Sequence, residues 1–564
     1  MKTLFLLIAS ILICNLEAVA QAPTYSWAKG SINGSGVVYD AVTTDNVNHF
    51  IYAAGSFGSG AINLGTGNLM NANPGSGTND IFVAKYDESG NLIWAKTFGG
   101  LDDDNASGVA VDNNGNLFVS GFYSSPTLSL GSTTLTDTSA GSVYYSFLAK
   151  LDASGNVIWA QAGLSGMNLQ AFAVTTDHFG NAYTTGMFLV HATFGTHQIS
   201  SPLGGMFVAK YDASGNVSWV NNSMVTGSGN GGLAIGNAIS LDGSGNCIVA
   251  GSYTDTCVFG ATVVPQSNTA YYDRFVCKLD PQGNFVWAKG SGVWQGPDEN
   301  QGVGCDADGN ILLSGYVSLP TVSPNNSAYC NAFFTEKLDA SGNQVWMHAG
   351  DSSATGLFHR LVCNPDGSFY AALSISDTAR FGTHVINPVF PFGIGLYVVV
   401  IKYDGSGNVL WVKAITPATL LPTSANLEAL AMDDLGNLFV SGGLKDTCYF
   451  DSHALFGDFT NNDFYLAKLG NNLPNDAATV TAADGIVIYP NPSTGSFHFF
   501  LPSSCSQATL YFYDLQGRCL QSVPAGNRSE LSWDGDQLPA GTYFCRIVDA
   551  GKGVDVIRKL VIQE

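Results

Sequence analysis

The residues best equipped for chemistry are acidic. Of 564 residues, 44 are Asp or Glu and 22 are Lys or Arg, giving a formal net charge of −22. Only 7 of the acids are Glu, leaving 37 Asp. Many Asp residues recur in one setting, Asp-x-x-Gly-Asn. Asp112-Asn113-Asn114-Gly115-Asn116 and Asp306-Ala307-Asp308-Gly309-Asn310 come nearest to calcium loops. Neither is followed by the distal Glu that a helix-flanked calcium loop needs. A tight hairpin turn asks for the same residues, with Asp capping its own backbone and Gly taking a positive φ. These segments are expected to be hairpin turns. No cofactor is expected, with calcium kept as the alternative.

The remaining candidates are few. Nine His residues are scattered without metal-ligand spacing. There is no GxSxG elbow, phosphate loop or Cys-x-x-Cys pair, so no catalytic residue is nominated. Net negative charge argues against nucleic acid, whose phosphates need clustered Lys and Arg. Cys257 and Cys448 occupy matching Asp-Thr-Cys positions, and Cys305 and Cys363 both end apolar runs. Their equivalence points to buried small apolar residues and away from a disulfide framework.

The elements that position these residues come from a repeat. One phrase reads KYDESGNLIWAK at 85–96 and returns, with variation, at 150–161, 210–220, 278–289, 337–347 and 402–413. Its Trp residues are 94, 159, 219, 287, 346 and 411, and Trp27 makes a seventh. A second phrase lies between them, as in VAVDNNGNLFVSGFY at 109–123. Each unit thus carries four β segments, named A (GVAVD), B (LFVSGFY), C (FVAKYD) and D (NLIWAK), with tight A–B and C–D turns. Gly makes up 66 residues and charged types only 12%, a balance suited to short strands and turns. Four-stranded sheets repeated radially describe a β-propeller, and seven copies predict seven blades. The chain begins its repeats with an unpaired D segment, Thr24–Gly30, and ends them with an unpaired C segment, Asp463–Gly470. Pairing these remainders would close the ring and remove two strand edges. The repeated Trp is expected to pack between neighbouring sheets, not to form a sugar platform.

The run TFGGLDDDNASGVAVDNNGNLFVSGFY followed by FLAKLDASGNVIWA resembles the β-propeller repeat of secreted bacterial proteins. That resemblance covers roughly residues 24–470. It implies an exported propeller and no common enzymatic activity.

After Leu469 the pattern changes. A polar linker, 471–484, precedes a unit at 485–564 whose period-2 runs predict a small antiparallel β-sandwich. Four features occur in order: Tyr489-Pro490-Asn491-Pro492 with Gly495; a strand-turn from Tyr513-Asp514 to Gly517-Arg518; Leu538-Pro539-Ala540-Gly541-Thr542-Tyr543; and Arg558-Lys559-Leu560-Val561. Together they resemble the C-terminal sorting domain of type IX secretion substrates. The resemblance implies the type IX machinery as a partner, two-step export, and removal of the domain on arrival. The N-terminus fits: Lys2, an apolar run from Leu4 to Ile13 and Ala18-Val19-Ala20 read as a signal peptide, residues 1–20. No later stretch is apolar for long enough to span a bilayer as a helix.

The organisation expected is a signal peptide (1–20), a seven-bladed propeller (21–470), a linker and a sorting domain. The function expected is binding or adhesion to a glycan or protein, at the surface or outside the cell. The alternatives are a polysaccharide lyase or hydrolase with carboxylates at the propeller axis, and a passive coat component. The A–B and C–D turns must share one face, leaving variable B–C and D–A links on the other. Loops held by a rigid scaffold suit recognition. Contacts are expected from 102–105, 221–232, 294–301 and 416–426, with Asp102, Asp103, Asp104, Trp294, Asp298 and Glu299 as the candidate residues.

Overall fold

The computed structural model describes residues 22–470 apart from 32–35, 59, 66, 138–142, 228–231, 268–270, 292–296, 321–328, 351–356, 388–395, 418–423 and 459–461. In the C-terminal unit it describes 487–489, 496–501, 508–513, 519–525, 530–534, 538–539, 541–549 and 554–562. The chain divides into two compact units, Met1–Gly470 and Asn471–Glu564.

The first unit is a seven-bladed β-propeller. Blade two shows the pattern: strands A to D are Asp104–Val111, Leu117–Tyr123, Tyr145–Leu151 and Val157–Leu164. They pair antiparallel in that order. Blades one and four repeat the order. So do blades three, five and six. Each A strand packs against the A strand of the next blade, and the last packs against the first, so A lines the centre. Blade seven is completed by the N-terminal segment. Tyr25–Gly30 pairs antiparallel with Asp463–Leu469, Trp27 opposite Lys468 and Gly30 opposite Tyr465. The two remainders expected from the repeat close the ring on one another.

Burial explains why the B and C strands do not alternate. Every residue of Leu117–Tyr123 and Tyr145–Leu151 is buried. Each sheet lies between two others, so both its faces are interior. Among the described residues the propeller core falls into seven hydrophobic clusters, each drawn from two adjacent blades. Tyr52 and Val83 of blade one, for example, pack with Val119 and Phe147 of blade two. The core is therefore between blades, and no blade has one of its own.

The repeated Trp and the repeated turn Gly meet across these interfaces. Trp159 Nε1 donates to the Ala213 carbonyl of the next blade at 3.2 Å, and Trp219 Nε1 to Pro281 at 3.1 Å. Trp27 reaches Glu88 in the same way at 2.9 Å, across the closure. The Gly of each receiving turn lies under the indole. A Cβ on Gly283 would sit 2.6 Å from Trp219, and one on Gly215 or Gly90 2.7 Å from Trp159 or Trp27. These glycines also take positive φ, +87° at Gly283. Two requirements thus fall on one residue: a left-handed backbone and room for a flat ring.

A third repeated element was not foreseen. The B–C connections carry β-hairpin arms, such as Thr127–Leu130 with Thr133–Thr136 and Cys257–Phe259 with Thr262–Val264. Each turns on a positive-φ residue: Gly131, Gly195, Gly260, Gly382 or Asp451. Several arms pair with the D strand of the preceding blade, as Met224 with Val258 and Gly163 with Phe194. The signal was available in Phe194-Gly195-Thr196-His197 and Phe381-Gly382-Thr383-His384, an identical tetrapeptide in two blades. The segment between strands B and C of blade one holds such an arm at Ala61–Asn63 and Asn68–Met70.

The second unit is a small sandwich. One sheet is Val487–Tyr489, Ser496–Phe500 and Glu530–Asp534; the other is Cys519–Pro524, Thr509–Tyr513, Gly541–Asp549 and Val554–Ile562. Phe512 of one sheet stacks on Trp533 of the other at 4.0 Å and 8°. Phe497, Phe499, Leu510, Ile547 and Leu560 fill the space around them.

Two outcomes follow from this packing. Gly283→Ala should cost about 1–3 kcal/mol by overpacking and backbone strain together. Gly131→Ala, at φ +63° with nothing within 4 Å of the added carbon, should cost only the backbone term, about 1 kcal/mol. Urea titration of both variants checks the difference, and equal costs would exclude the ring contact as a determinant. Removing residues up to Lys29 should lower the melting temperature of the whole propeller, because it exposes the Asp463–Leu469 edge and empties the Trp27 site. An unchanged melt would refute closure by this strand.

Candidate functional site

The A–B and C–D turns make one end of the propeller uniform. In the turn at Asp152, Oδ1 accepts the Ser154 and Asn156 N–H groups, each at 2.8 Å, while Asn156 Nδ2 donates to Oδ2 at 3.0 Å. The Gly155 N–H closes the turn on the Asp152 carbonyl at 2.8 Å. Asp212 and Asp280 repeat the arrangement. At both, the hydrogen bond from the Asn side chain holds the carboxyl below its usual range, and backbone N–H groups add to it. Both oxygens of each carboxylate are engaged by their own turn, which they cap.

The A–B turn Asp has a second partner. Asp112 pairs with Lys150 at 3.1 Å, Asp242 with Lys278 at 2.8 Å and Asp306 with Lys337 at 3.0 Å. Each Lys lies at the end of its blade's C strand, largely buried, and Lys150 also sits over Phe118 at 4.8 Å, as Lys210 does over Tyr183 in blade three. The Lys-Tyr or Lys-Leu of the repeat thus ties turn, strand and ring together at this end.

The opposite end carries the candidate contact residues, and it separates them. Asp102 is exposed, and Asp103 and Glu299 are half-buried. Asp104 and Asp298 are interior, at 0% and 1% exposure, so they are corrected from contact residues to structural ones. Asp104 begins its A strand and Asp298 immediately precedes Glu299–Cys305; each donates its N–H at 2.8 Å to the chain just ahead of the preceding blade's C strand, Asp104 to Asn79 and Asp298 to Tyr272. Asp103 Oδ1 accepts the Asn79 N–H at 2.9 Å. Trp294 and the whole of 292–296 lie outside the described residues, as does most of 416–426. In 221–232, Asn221 and Asn222 belong to the D strand Val217–Val225, where Asn221 Nδ2 bonds the Gly283 carbonyl at 2.7 Å.

The inner strands supply residues that sequence reasoning missed. Blades two to five each carry a β-bulge in strand A, with Ser107, Phe172, Asn237 and Gln301 as the extra residues. Bulges re-aim side chains. Ser107 Oγ here donates to the Ala171 carbonyl at 2.5 Å, and Asn237 Nδ2 to Asn300 at 3.0 Å, bridging neighbouring blades. Glu428, on the inner side of blade seven, accepts from Asn426 Nδ2 at 2.7 Å. Burial pushes its carboxyl up to about 7, against the pull of Arg360 on blade six and of Asn426. No phrase of the repeat marks Glu428 or Arg360, because both lie ahead of the turn phrase in their blades.

In the sandwich, the Tyr543 hydroxyl donates to the Pro539 carbonyl at 2.8 Å, tying the Tyr of this phrase back to its Pro. Tyr543 is buried. Gly541 and Lys559 lie on the paired strands Gly541–Asp549 and Val554–Ile562, and Tyr489 ends Val487–Tyr489. Pro490, Asn491, Pro492, Gly495 and Gly517 are outside the described residues.

Among the described residues no group of three or more His, Cys, Asp or Glu could hold a metal ion. Cys247, Cys257, Cys277, Cys448 and Cys545 are buried thiols, and Cys305 and Cys363 are half-buried. No helix among the described residues is long and apolar enough to cross a membrane.

Comparison with known proteins adds to this geometry. Residues 487–563 match the family model described as the secretion system C-terminal sorting domain. A stretch of 117 residues, 20% of the chain, is 31% identical to an uncharacterized WD repeat-containing protein, L264, of Acanthamoeba polyphaga mimivirus, and takes in 8% of that protein. Among solved structures, PorZ, an essential surface component of the type IX secretion system of Porphyromonas gingivalis, aligns over 94% of this chain and 100% of its own at 9% identity and a TM-score of 0.17. A Synechocystis apocarotenoid oxygenase aligns over 78% and 92% at 11% identity and a TM-score of 0.36. Both structural likenesses are too distant to bear on function. The sorting domain directs secretion through the type IX system to the cell surface or the extracellular space. The chain is a secreted β-propeller repeat protein with a type IX C-terminal sorting domain.

Proposed function

We propose that the propeller is a non-catalytic binding or adhesion module for a glycan or a protein, displayed at the cell surface or released. The observation that carries this reading is the difference between its two ends. One end repeats a single self-capped turn. The other presents hairpin arms and D–A links of differing length and sequence, with Asp102, Asp103 and Glu299 reaching solvent. A rigid frame with one variable end suits recognition. The full chain applied to glycan and protein arrays should bind a defined class. Charge reversal at Asp102 and Glu299 should weaken that binding at least several-fold while the melting temperature stays nearly constant. Loss on substituting Ser154 or Ser214 at the turn end would instead reverse the face assignment.

A second reading has one observation in its favour. Glu428 lies just ahead of the inner strand Ala429–Met432, and its raised carboxyl beside Arg360 has the character of an acid catalyst. Cleavage of an array polysaccharide, abolished in Glu428→Gln, would move the assignment to a lyase or hydrolase. Failure to bind or cleave anything would favour a passive coat component.

Export supplies a separate test. On this reading the signal peptide 1–20 is removed at the inner membrane and the sorting domain at the surface. Mass spectrometry of the mature protein should find an N-terminus near Gln21 and a C-terminus within 471–484. Deleting Ile486–Glu564 should leave a folded propeller inside the outer membrane, and normal surface delivery would refute the assignment.

A further inference from the structure

Two carboxyl groups are buried together between blades one and two, at the variable end. Asp80 begins strand C of blade one and Asp104 begins strand A of blade two, at 1% and 0% exposure. The Gly100 N–H lies against both. The chain reaches this position because Gly99 and Gly100 lack side chains. A Cβ on Gly99 would fall 2.2 Å from Asp80 Cγ, and one on Gly100 2.5 Å from Ser125 Oγ. Asp80 Oδ2 accepts the Ala72 N–H at 2.5 Å, and Asp104 Oδ2 accepts from Ser125 Oγ at 2.8 Å. Ser125 Oγ in turn accepts the Asp102 N–H at 2.9 Å. The remaining oxygens, Asp80 Oδ1 and Asp104 Oδ1, are buried without a hydrogen-bond partner among the described residues.

Among the described residues neither Asp80 nor Asp104 has a salt-bridge partner. Residues 51–84 and 97–149, which supply the segments around it, contain no Lys, Arg or His. The titratable groups nearest are Asp102, Asp103, Tyr123 and, beyond Tyr123, Asp137 and Tyr145; all are acidic. Two adjacent carboxylates cannot both stay ionised when buried without a counter-charge. The equivalent station between blades four and five, Asp273 with Asp298, differs in having Arg274 beside it.

We propose that Asp80 and Asp104 share a single proton, and that this proton-bearing pair is a pH-sensitive clasp holding blades one and two together at the variable end. Protonation neutralises one carboxyl and removes the repulsion. Loss of the proton restores it and loosens 72–80 and 99–104, which the pair's own hydrogen bonds hold.

Burial and the neighbouring Asp80, against the hydrogen bond from Ser125, push the Asp104 carboxyl up to about 8; burial pushes Asp80 up to about 6. The folded state therefore holds protons that the unfolded chain releases near pH 4. By linkage, stability falls as pH rises from about 4 to 8 and is lowest above 8.

Thermal melts of the full chain between pH 5 and 9 test this. The wild type should lose several degrees across the range. Asp104→Asn, neutral and of the same shape, should lose clearly less and melt above the wild type at pH 9. If Asp104→Asn does not fold, Asp80→Asn takes its place. Hydrogen exchange of the wild type, corrected for intrinsic rates, gives an independent readout. Protection in 72–80 and 99–104 should fall at pH 9 relative to pH 6, ahead of the other blade interfaces. An unaltered pH slope in the Asn variant, or uniform loss of protection around the ring, would overturn the proposal. So would stabilisation at pH 9 by added calcium that a chelator reverses, since the ligand would then be a cation and not a proton.

Discussion

The contact between a Trp and the Gly of the next blade's turn is the constraint on which the propeller depends. A four-stranded sheet buried on both faces has no core of its own, so each blade is stable only against its neighbours. The indole provides an apolar face and one N–H. The turn provides a carbonyl for that N–H and a residue without a side chain under the ring. Because that Gly must also take positive φ, no other residue meets both demands. This couples the sharpness of each hairpin to the spacing of the blades. It also explains why Asp, Gly, Asn and Trp keep their relative positions while much of the intervening chain varies.

The hairpin arms act at the other end. By pairing with the preceding blade's D strand they cover strand edges that would otherwise be open to other chains. Together the Trp contacts and the arms join consecutive blades at both ends of their outer strands. Closure by Tyr25–Gly30 extends the same logic to the last interface, where Trp27 and Glu88 make the contact that the other blades make within the repeat. The variable end is thus less loop-like than its sequence suggests. Its freedom lies in the tips of the arms and in the D–A links.

The sorting domain follows different rules. Its two sheets share one core across Phe512 and Trp533, so it holds together as a sandwich without neighbours. Its Leu-Pro-Ala-Gly-Thr-Tyr phrase is held by the bond from Tyr543 to Pro539.

Much of the fold was legible in the sequence because its determinants are local and repeated seven times. Turn chemistry at Asp-x-x-Gly-Asn, unbroken apolar runs in B and C, and unmatched strands at the two ends are properties of short segments. The sorting motifs are local in the same sense. What the tertiary structure alone decided involves residues that meet across blades. Asp104 and Asp298 read as loop acids, yet the step from one blade's C strand to the next blade's A strand buries them. Glu428 and Arg360 are 68 positions apart and meet only because adjacent A strands do. The identical Phe-Gly-Thr-His segments could have announced the arms, but their pairing with the preceding blade depends on ring geometry. A local pattern specifies which strand forms. Which charges end up sharing an interior is set by the closure of the ring, and no segment shorter than the whole propeller carries that information.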